Sequence, residues 1–300
     1  MEEDVFDKRE YTGLSSGSIT KLVENMANNY VPGKEDEFGG LSSDQFKRLI
    51  LNDWSGPGSP VLFEGDIPES RINEVRFVKN AKTMLTTARE EGGLRVSEDG
   101  NIELDTVYSL INEMDFSSAN LETPCEVKDV QDETEARPLH ILRVVLEVAE
   151  LLERKNGPFC PTARGEELLQ SGKAGELMEH LFVTYFRVFN IAYYTRGGEL
   201  AEIQGLFPYS LYRLSQLEPE GEWVNRKEMV GRLIPPPLKK GSDEKRLEFL
   251  TAIFTGRILD PLAKFDLLEA RGFGVEGFFE MNSDYRKSNL FDEFIQFNLD

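Results

Sequence analysis

Reactive side chains are scarce in this chain. Of 300 residues only two are cysteine and two are histidine. Cys125 and Cys160 are too few for a disulfide-stapled fold or any multi-cysteine zinc pattern. His140 and His180 stand forty positions apart, and neither has a ligand-type neighbour at helical metal-site spacing beyond ordinary surface glutamates. Acid–base chemistry near neutrality draws on histidine most often, so this scarcity argues against it. Basic residues are also in deficit: 34 Lys and Arg against 54 Asp and Glu give a net charge of −20. Such a field repels polyanions over about 8 Å at physiological salt. Long apolar runs are absent as well, and none approaches the roughly 18 residues of a membrane span. The opening Met1-Glu2-Glu3-Asp4 is acidic where a secretory leader would be basic, so a cytoplasmic setting is expected. A phosphate-binding Gly-x-x-x-x-Gly-Lys-Ser/Thr motif is missing too, and Gly13-Leu14-Ser15-Ser16-Gly17, spaced like a serine-nucleophile motif, has no strand upstream. No cofactor, metal site or catalytic residue is therefore assigned.

What is present is hydrophobic patterning. Apolar residues make up 40% of the chain, including 20 Phe, enough for a sizeable core. Residues 1–68 read as a charged arm followed by helical segments. Ile19, Leu22, Val23 and Met26 form one helical face, and Ser42 to Gln45 cap a helix carrying Phe46, Leu49 and Ile50. Residues 69–115 read as a helix from Glu69 to Glu91, stopped by Gly92-Gly93. Val75, Val78, Ala81, Met84, Leu85 and Ala88 lie on its inward side. A short strand at Leu94–Val96, a turn and cap at Ser97–Gly100 and a helix from Thr106 to Met114 follow.

Residues 116–137 carry six carboxylates from Glu122 to Glu135 against one lysine and read as a solvated acidic linker. Residues 138–234 open on a helix from Leu139 to Leu152 that is apolar over much of its circumference. Asn156-Gly157 signals a hairpin whose return strand is Phe159-Cys160. Thr162 to Glu166 opens another helix, and an aromatic helix runs from Ala174 to Tyr194. Pro235 to Gly241, within a linker at 235–245, reads as a stiff polyproline-like connector. Residues 246–300 carry a helix with Phe249, Ile253, Phe254, Ile258 and Leu259, a strand at Phe265–Glu269 and a return at Phe278–Met281. Asn282 and Ser283 would cap a last helix holding Leu290, Phe291, Phe294 and Ile295.

Ser97…Gly100 and Thr162…Gly165 repeat at an offset of 65 residues, each between a short β piece and a helix. Helix, two-stranded hairpin, helix is the order of a winged-helix unit. The expected fold is therefore α+β, predominantly α-helical, with tandem winged-helix-like units and short β-hairpins: two at 69–115 and 138–234, and a diverged third at 246–300.

Gly40 to Pro60 and Phe77 to Asn101, together with Pro138 to Leu169 and Phe182 to Tyr194, resemble a family of uncharacterised bacterial proteins. Some members carry a plasmid open-reading-frame label and some are joined to a SEC-C zinc-binding tail. The resemblance implies winged-helix-like repeats and no established activity, and this chain lacks the cysteine-rich tail.

Two surfaces are candidates for binding. Winged helices read DNA through the helix before the wing. In the first unit that helix offers Lys79, Lys82, Thr83, Thr86, Thr87 and Arg89, a set suited to phosphates and base edges. The second unit offers only Arg143, with Glu147, and the third offers Thr251, Thr255 and Arg257. Arg154-Lys155 and Lys239-Lys240 add isolated positive charge. The other candidate is the stripe Phe182, Phe186, Phe189 and Tyr193, which reads first as core and alternatively as a groove for a partner helix or peptide. His140 reads as a helix-start residue packing its ring. The leading expectation is a non-enzymatic scaffold for protein or peptide partners. The alternative is a DNA-binding regulator using Lys79, Lys82 and Arg89, disfavoured by the net charge.

Overall fold

The structure is a computed structural model, and it describes residues 38–116, 130–193, 201–239, 242–272 and 283–299, apart from Ser55, Pro57 and Gly65. The expected arm, the helix at 19–26, Cys125, most of the acidic linker and the return strand at 278–281 lie outside these residues. In chain order the first elements are α1 (Ser43–Leu51), β1 (Val61–Phe63), α2 (Glu69–Ile72), α3 (Arg76–Glu90), α4 (Leu104–Glu113) and α5 (Arg137–Val148). Next come β2 (Leu152–Arg154), β3 (Phe159–Pro161), α6 (Ala163–Leu168) and α7 (Ala174–Val183), which continues as a π-helical turn at Thr184–Val188. Then follow α8 (Ala201–Gly205), α9 (Phe207–Ser215), β4 (Val224–Asn225), α10 (Arg226–Leu233), α11 (Pro236–Lys239) and α12 (Glu244–Phe254). A second π-helical turn at Thr255–Leu259 leads into α13 (Asp260–Lys264), β5 (Leu268–Arg271), β6 (Asp284–Lys287), α14 (Asn289–Phe294) and β7 (Ile295–Phe297). This is an α+β architecture with small antiparallel sheets. Among the described residues no helix is long and apolar enough to cross a membrane.

The described residues fall into two compact units. One comprises 66–190, and the other comprises 38–64 with 191–299.

In the first unit, α3 turns Val78, Ala81, Met84, Leu85 and Ala88 inward at the spacing of one helical face. The helix expected from Glu69 is interrupted at Asn73–Val75, where Val75 adopts an extended backbone (φ −59, ψ 118) while its side chain stays buried. The β2–β3 hairpin turns through Asn156 and Gly157 at φ 54 and 119, a left-handed pair that Asn and Gly adopt with least strain. Leu94 pairs with Phe159 of β3, through N–H···O bonds of 2.8 and 3.0 Å in the two directions. The β piece of the first expected repeat thus joins the hairpin of the second. Ser97–Gly100 closes its own small turn, with Gly100 N–H bonded to Ser97 O at 3.1 Å, and does not cap α4. Thr162 does cap α6, accepting from Gly165 N–H at 3.0 Å. Gly165 cannot be larger, because a Cβ there would collide with the Leu151 carbonyl oxygen.

In the second unit, Ser42 and Gln45 form a reciprocal capping box on α1, which buries Phe46, Leu49 and Ile50 as the sequence predicts. Replacing Ser42 by Ala is expected to destabilise the protein by about 1 kcal/mol, measured by denaturant unfolding. β1 and β7 pair antiparallel although 234 positions separate Val61 from Ile295. β4, β6 and β5 form a three-stranded sheet. One of its faces carries Glu269–Arg286 and Arg271–Asp284 cross-strand pairs, both guanidiniums lying over Trp223 at 4.3 and 4.6 Å. On the other face Lys287 is buried and donates to Asp292 and to the Ser215 carbonyl.

Three expectations are corrected in this unit. Of the expected connector at Pro235–Gly241, the described part is not polyproline-like, because Pro236–Lys239 forms a helical turn; proline is pre-set for a first turn, where its missing N–H has no partner to lose. Phe249 is 42% exposed, not inward. The last helix is preceded by Ser288 at the N-cap position, later than the expected Asn282-Ser283.

Candidate functional site: a buried charge cluster

A helix buried on nearly all sides should be apolar throughout, and α5 is not. Leu139, Leu142, Val144, Val145, Leu146 and Val148 are buried, and so are His140, Arg143 and Glu147. The spacing i, i+3, i+7 brings those three polar side chains onto one face. Glu133, from the segment leading into α5, meets them there with no solvent exposure. Its Oε1 accepts from Arg143 Nε at 2.5 Å and from His140 Nδ1 at 2.8 Å, and its Oε2 accepts the Ile102 backbone N–H at 2.6 Å. Arg143 Nη1 donates in turn to Glu147, and the guanidinium carbon lies 4.9 Å from the centre of the Phe159 ring. Arg143 thereby links the approach to α5, α5 itself and strand β3, and Glu133 ties the 96–102 turn to them.

The two carboxyls of this cluster titrate in opposite directions. Burial pushes Glu133 up, but the His140 hydrogen bond and the Arg143 charge outweigh it and hold the carboxyl below its usual range. Burial raises Glu147 to about 7 against the attraction of Arg143, with Glu133 adding repulsion. Chemically, the arrangement can hold an anion at Glu133 and exchange a proton at Glu147. Among the described residues no group of three or more His, Cys, Asp or Glu side chains is disposed to hold a metal ion.

The sequence assigned Glu133 to a solvated linker; its bonds to Ile102, His140 and Arg143 turn it inward instead. His140 does sit at the helix start, buried, but bonded to a carboxylate rather than only packed. His180 Nε2 donates to the Ala149 carbonyl at 2.7 Å, closing the C-terminal end of α5. The readable signal was the His140, Arg143, Glu147 spacing within an apolar helix.

The proposed DNA-contacting residues do share one face of α3. Lys79 and Arg89 are exposed, while Lys82, Thr83, Thr86 and Thr87 are half-buried. Each cation is already engaged. Lys79 pairs with Glu74 at 3.6 Å, Lys82 Nζ donates to Asn73 Oδ1 at 2.6 Å, and Arg89 lies 3.9 and 3.8 Å from Glu90 and Glu166. Thr83 and Thr87 hydroxyls turn back to carbonyls of their own helix. Thr251, Thr255, Arg257 and Arg143 are buried, which corrects their candidacy as DNA contacts. Lys239 donates to the Gly231 carbonyl, and Lys240 lies outside the described residues.

The aromatic stripe is corrected as an open groove. Phe182 and Phe186 are fully buried, Phe189 is 2% exposed, and Tyr193 lies past the end of the helix, half-buried. Cys160 sits half-buried on β3.

All four cluster residues lie in a segment with a recognisable relationship. Residues 73–174 match the family model described as the Y4jL N-terminal domain. The Y4jL match spans about a third of the chain and supports similarity to an uncharacterised family. Its range runs from the end of α2 through α3, the hairpin and α6 to the first residue of α7. No curated protein and no solved structure matches the chain.

Proposed function

We propose that the chain is a non-enzymatic interaction module of the cytoplasm that binds protein or peptide partners. Its helix–hairpin–helix segments serve as a winged-helix-like frame. The observation that carries this reading is the already partnered face of α3. Glu74, Asn73 and Glu166 occupy the cations that phosphates would need, in a molecule of net charge −20. Phosphate contacts supply most non-specific DNA affinity, so an already-paired face in an anionic protein favours a neutral or basic protein surface. Binding is favoured over turnover because the cluster around Arg143 spends its donors and acceptors on itself behind closed packing.

One observation supports the alternative regulator: Lys79, Lys82, Thr83, Thr86 and Arg89 do form a single stripe. A mobility-shift titration of labelled duplex with the full chain separates the two readings. The module reading expects no shift at low salt, and a stoichiometric protein partner whose complex reassembles from purified components. A shift that falls steeply with salt and disappears in the Lys79→Glu, Lys82→Glu double variant would overturn it.

A further inference from the structure

Count the charges enclosed with α5. Glu133 and Glu147 are two carboxylates, Arg143 is one guanidinium, and His140 already directs Nδ1 at Glu133. All four side chains are less than a tenth exposed. Two carboxylates against one guanidinium leave a closed core one positive charge short, a costly arrangement that one retained proton removes.

The geometry also says where that proton sits. Glu133 accepts from three donors, Ile102 N–H, Arg143 Nε and His140, and so is the committed anion. Among the described residues Glu147 accepts from Arg143 alone. The charged groups whose fields reach Glu147 are Arg143 on its own helix, Glu133 on the preceding segment and Arg154 on β2. The buried faces of α3, α4 and the first π-helical turn contribute none, being made of Phe77, Val78, Thr106, Val107, Tyr185 and residues like them. The same cluster grips the hairpin, through Arg143 over the Phe159 ring of β3.

We propose that this cluster is a proton-operated latch on the β2–β3 hairpin. It holds the hairpin to α5 while Glu147 carries a proton, and loosens that hold when the proton leaves. The proton is released to solvent as pH rises through neutrality and is recovered on acidification, so no co-reactant is needed. The latch works the same way whatever the protein binds.

The test compares the full-length protein with its Glu147→Gln variant, whose side-chain amide stands in for the protonated acid. From about pH 5 to about pH 8 the unfolding equilibrium constant of the parent should rise about fiftyfold more than that of the variant. Superimposable pH profiles would overturn the latch. Should E147Q fail to fold, infrared spectroscopy of a Glu179→Gln protein decides, since burial also raises the Glu179 carboxyl. A protonated-carboxyl band present near pH 6 and lost near pH 8 supports the proposal, and its absence overturns it. Over the same range, amide exchange at residues 152–161 should accelerate beyond intrinsic base catalysis; an unchanged hairpin would also overturn it.

Discussion

Replacing Arg143 by methionine is expected to destabilise the protein by about 3–5 kcal/mol at pH 8, measured by denaturant unfolding. The loss is not that of a salt bridge seen in isolation. Methionine fills much of the same volume against Phe159, so packing changes little, but Glu133 and Glu147 are left together without a cation. The triple variant Arg143→Met, Glu133→Gln, Glu147→Gln should recover much of the loss. Neutral amides need no counter-charge, and the amide oxygen introduced by Glu133→Gln can still accept the Ile102 N–H. A loss below about 1 kcal/mol for the single variant would show that the cluster is solvated rather than closed. The effect should also shrink on mild acidification. Glu147 is raised in the folded state, so its contribution is fully present below its unfolded value and lost as pH climbs through about 7. Glu133 is lowered, so its contribution is present above its unfolded value and lost as pH falls through the folded one. Stability of the parent should therefore peak between those two titrations.

Local physics made part of this fold readable. The capping box at Ser42, the inward set on α3, the Asn156-Gly157 turn and the Thr162 cap are each settled within a few residues, and each stands where the spacing put it. Pairing over long separations was not readable. Nothing near Val61–Phe63 marks it as the partner of Ile295–Phe297. Nor does Leu94 announce that it will pair with Phe159 rather than lid a core of its own. The repeat seen in Ser97…Gly100 and Thr162…Gly165 is a repeat of residues, not of roles, since one closes a turn and the other caps a helix. The cluster was half visible. Arg143 and Glu147 on an apolar helix pose the question of how a buried charge is compensated, but Glu133 lay in a run of carboxylates that read as solvated. Only the fold shows that Glu133 turns inward.

Replacing Phe186 by alanine is expected to destabilise the protein by about 3–5 kcal/mol and to leave no groove-type phenotype separable from that loss. Phe186 is fully buried; its ring lies 4.8 Å from that of Phe182 and 5.1 Å from that of Tyr185. Tyr185 in turn meets Phe189 at 5.5 Å and Phe77 of α3 at 5.6 Å. The π-helical turn at Thr184–Val188 is what admits Tyr185 to this group. An ideal α-helix carrying Phe182, Phe186 and Phe189 inward points its neighbouring position aside, whereas the wider turn presents both Tyr185 and Phe186 to the core. Truncating Phe186 leaves a void beside the Phe182 and Tyr185 rings, which their own continuous helix holds in place and which cannot easily collapse onto it. Phe186→Leu keeps most of the volume and should cost less than about 1.5 kcal/mol. An exposed groove would give the reverse pattern, near-normal stability for both variants with loss of a partner. A Phe186→Ala protein as stable as the parent would therefore return the stripe to the surface.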